Sequence, residues 1–272
     1  MPDRLLFDKS LSRGSSPWWN FAIRNRFRTL PRYKFSLLLL ALLLTTGCKK
    51  SLSDHMKKGG EYYQSGRYQE ALVEYRNATN LAPKSPEVKY ELGRTYLALG
   101  NPAAALADFQ GTIELKPDHL DAQLQLATIH LLMNEYDKAA PLIERVLKMA
   151  PANPTAHSLR GQYLIHSGDL TKGLEEMEAA VRLGPSQVEL VEPLATFHTG
   201  RGQFDQALAV LRKSAELNPR SIPALLNLSQ FLFQKRDVSG AEEIARKALS
   251  IDSRHLKANL FLAQILTVTS RQ

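Results

Sequence analysis

Residues 86–119 read PEVKYELGRTYLALGNPAAALADFQGTIELKPDH and contain one complete unit of helix-forming pattern. Its apolar residues, Phe109 and Ile113 among them, follow the three- to four-residue spacing of a helix that is apolar on one side. Gly100 interrupts the pattern near the middle and Pro117 interrupts it near the end. Glycine permits the left-handed turn that ends many helices, and the residue before a proline avoids the helical region. The stretch therefore predicts two helices joined by a turn.

The same pattern recurs along the chain with a period of 34 residues. The prolines that hold this spacing are Pro83, Pro117, Pro151, Pro185 and Pro219. The turn residues that hold it are Gly66, Gly100, Asn134, Gly168 and Gly202. Two further sets consist of small residues, which are Ala71, Ala105, Ala139, Gly173, Ala207 and Ala241, and Gly59, Gly93, Ala127, Gly161, Ala195, Ser229 and Ala263. Small residues on both helices of a pair allow them to cross closely, so each period predicts a helical hairpin that must stack on its neighbours.

A 34-residue period with small, glycine and proline positions in this order resembles the tetratricopeptide repeat, over residues 52–272. The resemblance implies an all-α fold, a right-handed superhelical solenoid of antiparallel helix hairpins. Arg160 and Gly173 in the fourth repeat, and Arg236 and Ser253 in the sixth, depart from the pattern, so we expect looser packing there. We predict six full repeats at 52–85, 86–119, 120–153, 154–187, 188–221 and 222–255, and the first helix of a seventh, incomplete repeat at 256–272.

Residues 1–47 differ from the rest of the chain. They contain eight basic and two acidic residues, and a basic block that ends at Lys34 precedes an apolar run over residues 35–44. A helix needs about 20 apolar residues to span a hydrocarbon core, so this run is too short. A basic flank, a short apolar run and small residues beyond it are typical of a secretory signal peptide. We therefore predict that residues 1–47 are a signal peptide with an N-terminal extension.

Cys48, the single cysteine, follows Leu44-Thr45-Thr46-Gly47. This sequence resembles the lipobox of bacterial lipoproteins, which implies that Cys48 is acylated and that residues 48–51 form a short lipidated linker. Acyl chains would then anchor the protein to a membrane. Lys49, rather than aspartate, follows the cysteine, and in the lipoprotein family this favours the outer membrane, with the protein facing the periplasm. The alternative is a secreted or periplasmic protein with a free thiol.

Composition and motifs argue against catalysis and nucleic-acid binding. Residues 48–272 contain 27 basic and 25 acidic residues and no basic cluster with interleaved aromatics, so we predict no nucleic-acid partner. None of the seven histidines has a second ligand at a metal-binding spacing, and no nucleotide-binding or nucleophile motif is present. We therefore predict no metal, no cofactor and no enzymatic activity. His130 and His198 take the place of an aromatic packing residue, and we interpret them as core residues.

In the tetratricopeptide-repeat family the first helix of each hairpin lines a concave groove. The family's clamp of Lys, Asn and Arg, which binds a peptide carboxylate, is replaced here by Met56, Gly60, Glu91, Asp121 and Gln125, so we predict no binding of that type. We predict that the groove is apolar in its first half and binds a protein or peptide segment, although Leu131 and Leu132 have the alternative of packing on the next repeat. The groove positions here are Met56, Tyr63, Tyr90, Arg94, Leu97, Leu124, Thr128, Leu131, Leu132, Gln162, Ile165, His166, Glu192, Thr196, Thr199, Leu226, Gln230 and Phe233.

These features predict a protein–protein interaction scaffold or adaptor in the bacterial cell envelope. The layout also resembles the repeat lipoproteins of the exosortase (PEP-CTERM) system, which implies an alternative, an assembly or regulatory subunit for exopolysaccharide production or export. A second alternative is the repeat domain of a truncated glycosyltransferase. The last predicted helix is mostly apolar, and its small Ala263 awaits a facing helix. Residues 256–272 therefore predict end-to-end self-association or further repeats, unless this helix itself caps the array.

Overall fold

The structure is a computed structural model that describes residues 51–269. Within that range the chain forms thirteen α-helices, one 3₁₀ turn at Val188–Leu190 and no strand. The helices are α1 (Leu52–Gln64), α2 (Tyr68–Leu81), α3 (Pro86–Ala98), α4 (Pro102–Leu115), α5 (Leu120–Leu132), α6 (Tyr136–Met149), α7 (Pro154–His166), α8 (Leu170–Leu183), α9 (Val191–Gly200), α10 (Phe204–Leu217), α11 (Ile222–Gln234), α12 (Val238–Ile251) and α13 (Leu256–Thr269).

Consecutive helices pair into six hairpins, from α1–α2 to α11–α12, and the second helix of each hairpin packs on the first helix of the next. The last helix, α13, packs on α12 and also contacts α11. The predicted all-α, right-handed superhelical solenoid is confirmed. Each hairpin packs only against the hairpins next to it in sequence, so it depends on these neighbours to bury its apolar faces.

The turn between the two helices of each hairpin is left-handed. Gly66, Gly100, Gly168 and Gly202 have φ values between 72° and 92°. In the second hairpin Asn101 N donates to Tyr96 O at 2.8 Å, the long bond that closes a helix C-terminus of this type. The same turn is built from Asn134, with φ 59°, and from Arg236, with φ 64°. Arginine is strained in this region by about 1–2 kcal/mol, so the fold imposes this geometry on Arg236.

Small residues lie at the crossing of each hairpin, as their spacing predicts. Ala105 is fully buried in α4, beside the fully buried ring of Phe109. A Cβ atom added to Gly93, on the facing helix α3, would lie 2.7 Å from that ring. Glycine is therefore required at residue 93 because an aromatic ring fills the space that its side chain would take.

The fourth hairpin is not loose, and the expectation for Arg160 and Gly173 is wrong. A Cβ added to Gly161 would lie 2.8 Å from Gly173 O, and one added to Gly173 would lie 2.9 Å from Gly161 O, so α7 and α8 approach backbone to backbone. Arg160 pairs with Glu176 on α8. Residue 173 lacks the methyl group that alanine has in the other hairpins, and this lets α7 and α8 come closer. The ion pair of Arg160 with Glu176 joins the same two helices. Arg236 and Ser253 of the sixth hairpin are exposed and lie at turns.

The junction between the fourth and fifth hairpins is irregular. Proline has no N–H to donate, and its ring collides with the carbonyl four residues earlier. Pro193 is the third residue of α9, and that carbonyl belongs to Glu189. The chain therefore forms the 3₁₀ turn Val188–Leu190 and starts the α-helix only at Val191.

Candidate functional site

The first helices of the hairpins carry all of the predicted groove residues. At the N-terminal end, Tyr63 and Tyr90 flank Arg94, whose Cζ lies 4.5 Å and 5.8 Å from their ring centroids. Arg94 Nη1 is 3.1 Å from a carboxylate oxygen of Glu91. Burial, helped by the charge of Asp121, raises the pKa of Tyr90 to about 12. This part of the groove combines aromatic rings with paired charges, and the prediction that the first half is apolar is wrong here.

A depression of about 220 Å³, the central depression, lies between α5 and α7. Five of the predicted residues line it, namely Thr128, Leu131, Leu132, Gln162 and His166. Tyr136 stacks on the His166 ring with a centroid distance of 3.7 Å. Leu132 is 78% exposed, more than any other large apolar side chain of residues 51–268. This part of the groove is open to solvent and combines leucines with hydroxyl, amide and imidazole groups.

A second depression of about 390 Å³, the C-terminal depression, lies between α9 and α11. The predicted residues Glu192, Thr196, Thr199 and Gln230 line it, and so do Asn227 and Gln234, which sequence reasoning missed. Gln234 stands in line with Leu132 and His166 of earlier repeats, so the period could have identified it. Hydroxyl and amide groups with one carboxylate can form hydrogen bonds here, beside the apolar side chains of Ala195, Leu211 and Phe231.

Comparison with known families agrees with this architecture. Residues 96–163 and 198–246 match a family model described as "Tetratricopeptide repeat", and residues 59–100 match a second model described as "TPR repeat". The chain is a tetratricopeptide-repeat protein. No curated protein sequence matches it.

Solved structures share the tetratricopeptide-repeat fold at low sequence identity. A tetratricopeptide repeat protein from Parabacteroides merdae has 16% identity and a TM-score of 0.66, with 84% of this chain and 90% of that chain covered. A thermophilic protein from Thermus thermophilus has 19% identity and a TM-score of 0.59, with 67% and 100% covered. A chain of the APC/C hetero-tetramer Cut9–Hcn1 has 14% identity and a TM-score of 0.61, with 86% and 46% covered. At these identities the likeness shows the fold alone.

Two predicted groove residues are not available to a partner. Leu124 and Leu226 are 5% and 6% exposed, and each packs in a core cluster between neighbouring repeats. Their prediction as partner-binding residues is wrong, because the adjacent repeat covers them. The groove side chains that are half-buried in the tetratricopeptide-repeat array are Met56, Tyr63, Tyr90, Arg94, Leu97, Thr128, Leu131, Gln162, Ile165, Thr199 and Phe233.

The two core histidines are held by polar side chains. His130 and His198 are 4% and 7% exposed. His130 Nδ1 lies 2.6 Å from Glu135 Oε2, and His198 Nδ1 lies 2.9 Å from Gln203 Oε1. The structure places both in the packed interior, where the sequence interpretation put them.

Residues 51–269 contain no group of three or more His, Cys, Asp or Glu side chains that could hold a metal ion. Nor does any helix in this part of the chain have the length and apolar character needed to cross a membrane. The predicted signal peptide and the predicted acylation of Cys48 lie outside the described residues.

Proposed function

We propose that this tetratricopeptide-repeat protein is a scaffold of the bacterial cell envelope that holds a segment of a partner protein in its concave groove. The observation that carries the proposal is the pair of depressions, one between α5 and α7 and one between α9 and α11. Both are lined by first helices of neighbouring hairpins and both are open. Side chains that are not needed for stacking are thus gathered on one surface, as a binding surface requires.

Both depressions combine apolar and polar side chains, and the groups in each indicate the chemistry of the partner segment. The central depression presents Leu131, Leu132 and Leu159 and would take an apolar side chain. The C-terminal depression presents the amides of Asn227 and Gln230 with the hydroxyls of threonines, which can bond to the N–H and C=O groups of an extended backbone. We therefore propose a partner segment that is extended and carries at least one large apolar residue.

The fold itself is suited to this role. Repeat arrays of this kind offer extended concave surfaces that are used for binding. The structural relative from the Cut9–Hcn1 complex belongs to a hetero-tetramer. A scaffold role for the present chain fits this common use of the fold.

Anchoring through Cys48 completes the proposal. An acylated Cys48 would hold the array at the periplasmic side of the outer membrane, with only residues 49–51 between the lipid and α1. Changing Cys48 to serine should release the protein from membranes on cell fractionation. Retention of the Cys48→Ser variant in membranes after a high-salt wash would contradict acylation as the anchor.

A comparison of variants tests the groove. Leu132→Glu and Gln230→Glu place charges at exposed sites of the two depressions, so they should leave folding intact and remove the partner from affinity-purified material. Leu81→Glu is the matched control, because Leu81 is 55% exposed but lies on the second helix α2. If the double variant retains the same proteins as wild type and as Leu81→Glu, the groove is not the binding surface.

We also propose end-to-end self-association through α13. Leu256 and Leu260 on this helix are 70% and 63% exposed. Leu260→Glu should lower the mass measured by light scattering at high protein concentration. If the wild-type chain has the mass of a monomer even at high protein concentration, self-association is contradicted.

A further inference from the structure

An apolar crevice lies away from the groove, between the second helices α8 and α10 and the start of α9. Its volume is about 380 Å³, within the range of small-molecule sites. Arg182 and Lys213 also border it, and both are exposed, so they form its rim. The walls are formed by Val181, Pro185, Val191, Val210, Ser214 and Leu217.

The junction at the crevice lacks a polar bridge that the two preceding junctions have. In the third hairpin Gln123 Nε2 donates to Pro117 O at 2.6 Å, and in the fourth hairpin His157 Nε2 lies 2.8 Å from Pro151 O. These side chains tie each hairpin to the proline of the preceding one. The equivalent residue of the fifth hairpin is Val191, which has no polar atom to reach Pro185.

The second hairpin shows what ordinarily fills this space. Lys89 and Asp108 occupy the positions of Val191 and Val210 there. The Lys89 stem runs so close to α4 that a Cβ added to Gly111 would lie 3.1 Å from its Cδ. Two valines in place of this long charged pair leave an aliphatic gap between the hairpins.

Ser214 gives an independent sign that the crevice takes a ligand. This residue is 3% exposed, and its Oγ has no hydrogen-bond partner among the described residues. A buried hydroxyl without a partner is unfavourable. Ala180 and Ala248 are fully buried at the equivalent position of the fourth and sixth hairpins, so packing does not require a hydroxyl there.

We infer that the crevice binds an aliphatic chain that ends in an anionic group, as in a fatty acid. The aliphatic walls match an alkyl chain, and the rim cations match a carboxylate. Arg182 Nη1 also lies 3.7 Å from Glu178 Oε2, so its charge is partly neutralised within α8. Lys213 and Ser214 both border the crevice, so a carboxylate placed between them would accept hydrogen bonds from both.

Dodecanoate is the probe that tests this inference, in calorimetric titrations of the full chain carrying Cys48→Ser. Saturable binding is expected. Each buried methylene is worth about a fourfold change in affinity, so decanoate should bind about fifteenfold more weakly. Dodecyltrimethylammonium, which has a cationic end, should bind more weakly than dodecanoate. Absence of saturable dodecanoate binding, or tighter binding of the cationic probe, would overturn the inference.

Matched variants locate the site. Ala209→Trp places a large ring at the crevice, whereas Ala107→Trp makes the same change at the equivalent residue of the second hairpin, where Lys89 fills the space. Lys213→Glu reverses a rim charge, and Lys247→Glu reverses the equivalent charge of the sixth hairpin. We expect at least tenfold loss of dodecanoate affinity in Ala209→Trp and Lys213→Glu, and no change in either control.

Ser214→Ala should also weaken dodecanoate binding, by about tenfold, because it removes a hydrogen bond to a charged group. Equal losses in the matched controls, or undiminished binding in both Ala209→Trp and Lys213→Glu, would refute the site. Circular dichroism checks that each variant is folded, and Lys213→Glu lies at an exposed residue, so its result does not depend on core packing.

Discussion

The repeat pattern and the structure predict opposite effects of Gly173→Ala on the stability of the folded chain. Five other hairpins have a fully buried alanine at this position, among them Ala105 and Ala139. Alanine also favours a helix over glycine by about 1 kcal/mol. The sequence pattern alone therefore predicts that Gly173→Ala stabilises the folded chain.

The structure predicts that Gly173→Ala destabilises the array. The new Cβ would lie 2.5 Å from Ile165 Cγ1, 2.9 Å from Gly161 O and 3.0 Å from Ile165 N. The side-chain contact can be relieved by rotation, but the two backbone contacts require α7 and α8 to move apart. Overpacking of this kind costs about 1–3 kcal/mol, and the upper part of that range applies because backbone must shift. After the gain in helix propensity, a net loss of about 1–2 kcal/mol remains.

Thermal unfolding of the full chain, followed by circular dichroism in a Cys48→Ser background, measures the effect. The midpoint should fall by about 2–8 °C. Gly60→Ala is the control: its Cβ would have only Tyr75 Oη within 4 Å, at 3.8 Å, so this change should raise the midpoint. An unchanged or raised midpoint for Gly173→Ala would refute the close crossing of α7 and α8.

Three further predictions follow from the same structure. Arg236→Gly should stabilise the chain by about 0.5–1 kcal/mol, because it removes the strain of an arginine at φ 64°. Lys235→Gly is the control and should destabilise the chain, because Lys235 has an unstrained φ of −82°. The midpoints of denaturant unfolding measure both effects. Ala139→Leu should cost about 1–3 kcal/mol, since Ala139 is fully buried, and an unchanged midpoint would contradict the assigned crossing. Burial raises the pKa of Glu176, but hydrogen bonds from Arg160 and His157 outweigh burial and leave this pKa below its ordinary value. The lowered pKa of Glu176 stabilises the folded chain fully above the ordinary glutamate pKa of about 4.3, and this contribution is lost as pH falls through the lowered pKa of the folded state. Glu176→Gln should therefore destabilise at pH 7 and converge with wild type in acid, and a difference that persists at low pH would contradict this origin.

The period of the sequence was enough to predict the fold, because each repeated residue has a local cause. The turn residues show this best, since Asn134 has the same left-handed geometry as the glycines around it. Arg236 has that geometry too, although its residue type disfavours it, because the flanking helices determine the turn. The approach of Gly161 to Gly173 could not be predicted residue by residue, since it depends on both glycines at once.

The groove was only partly predictable. Family positions locate the first helices correctly, so Leu132 and Thr196 were placed on open surface. They cannot tell whether a neighbouring repeat covers a side chain, which is why Leu124 and Leu226 were wrongly assigned to the binding surface. Burial between repeats depends on how closely two hairpins stack, and stacking depends on side chains 34 residues away.

Photocrosslinking in living cells distinguishes partner binding at the first helices from partner binding at the second helices. Benzoylphenylalanine would be introduced at residue 132 or 230, on the first helices α5 and α11, and at residue 81 or 107, on the second helices α2 and α4. We expect one protein to be crosslinked from residues 132 and 230 and not from residues 81 and 107. A protein crosslinked from residues 81 and 107, with no product from residues 132 and 230, would contradict partner binding in the concave groove.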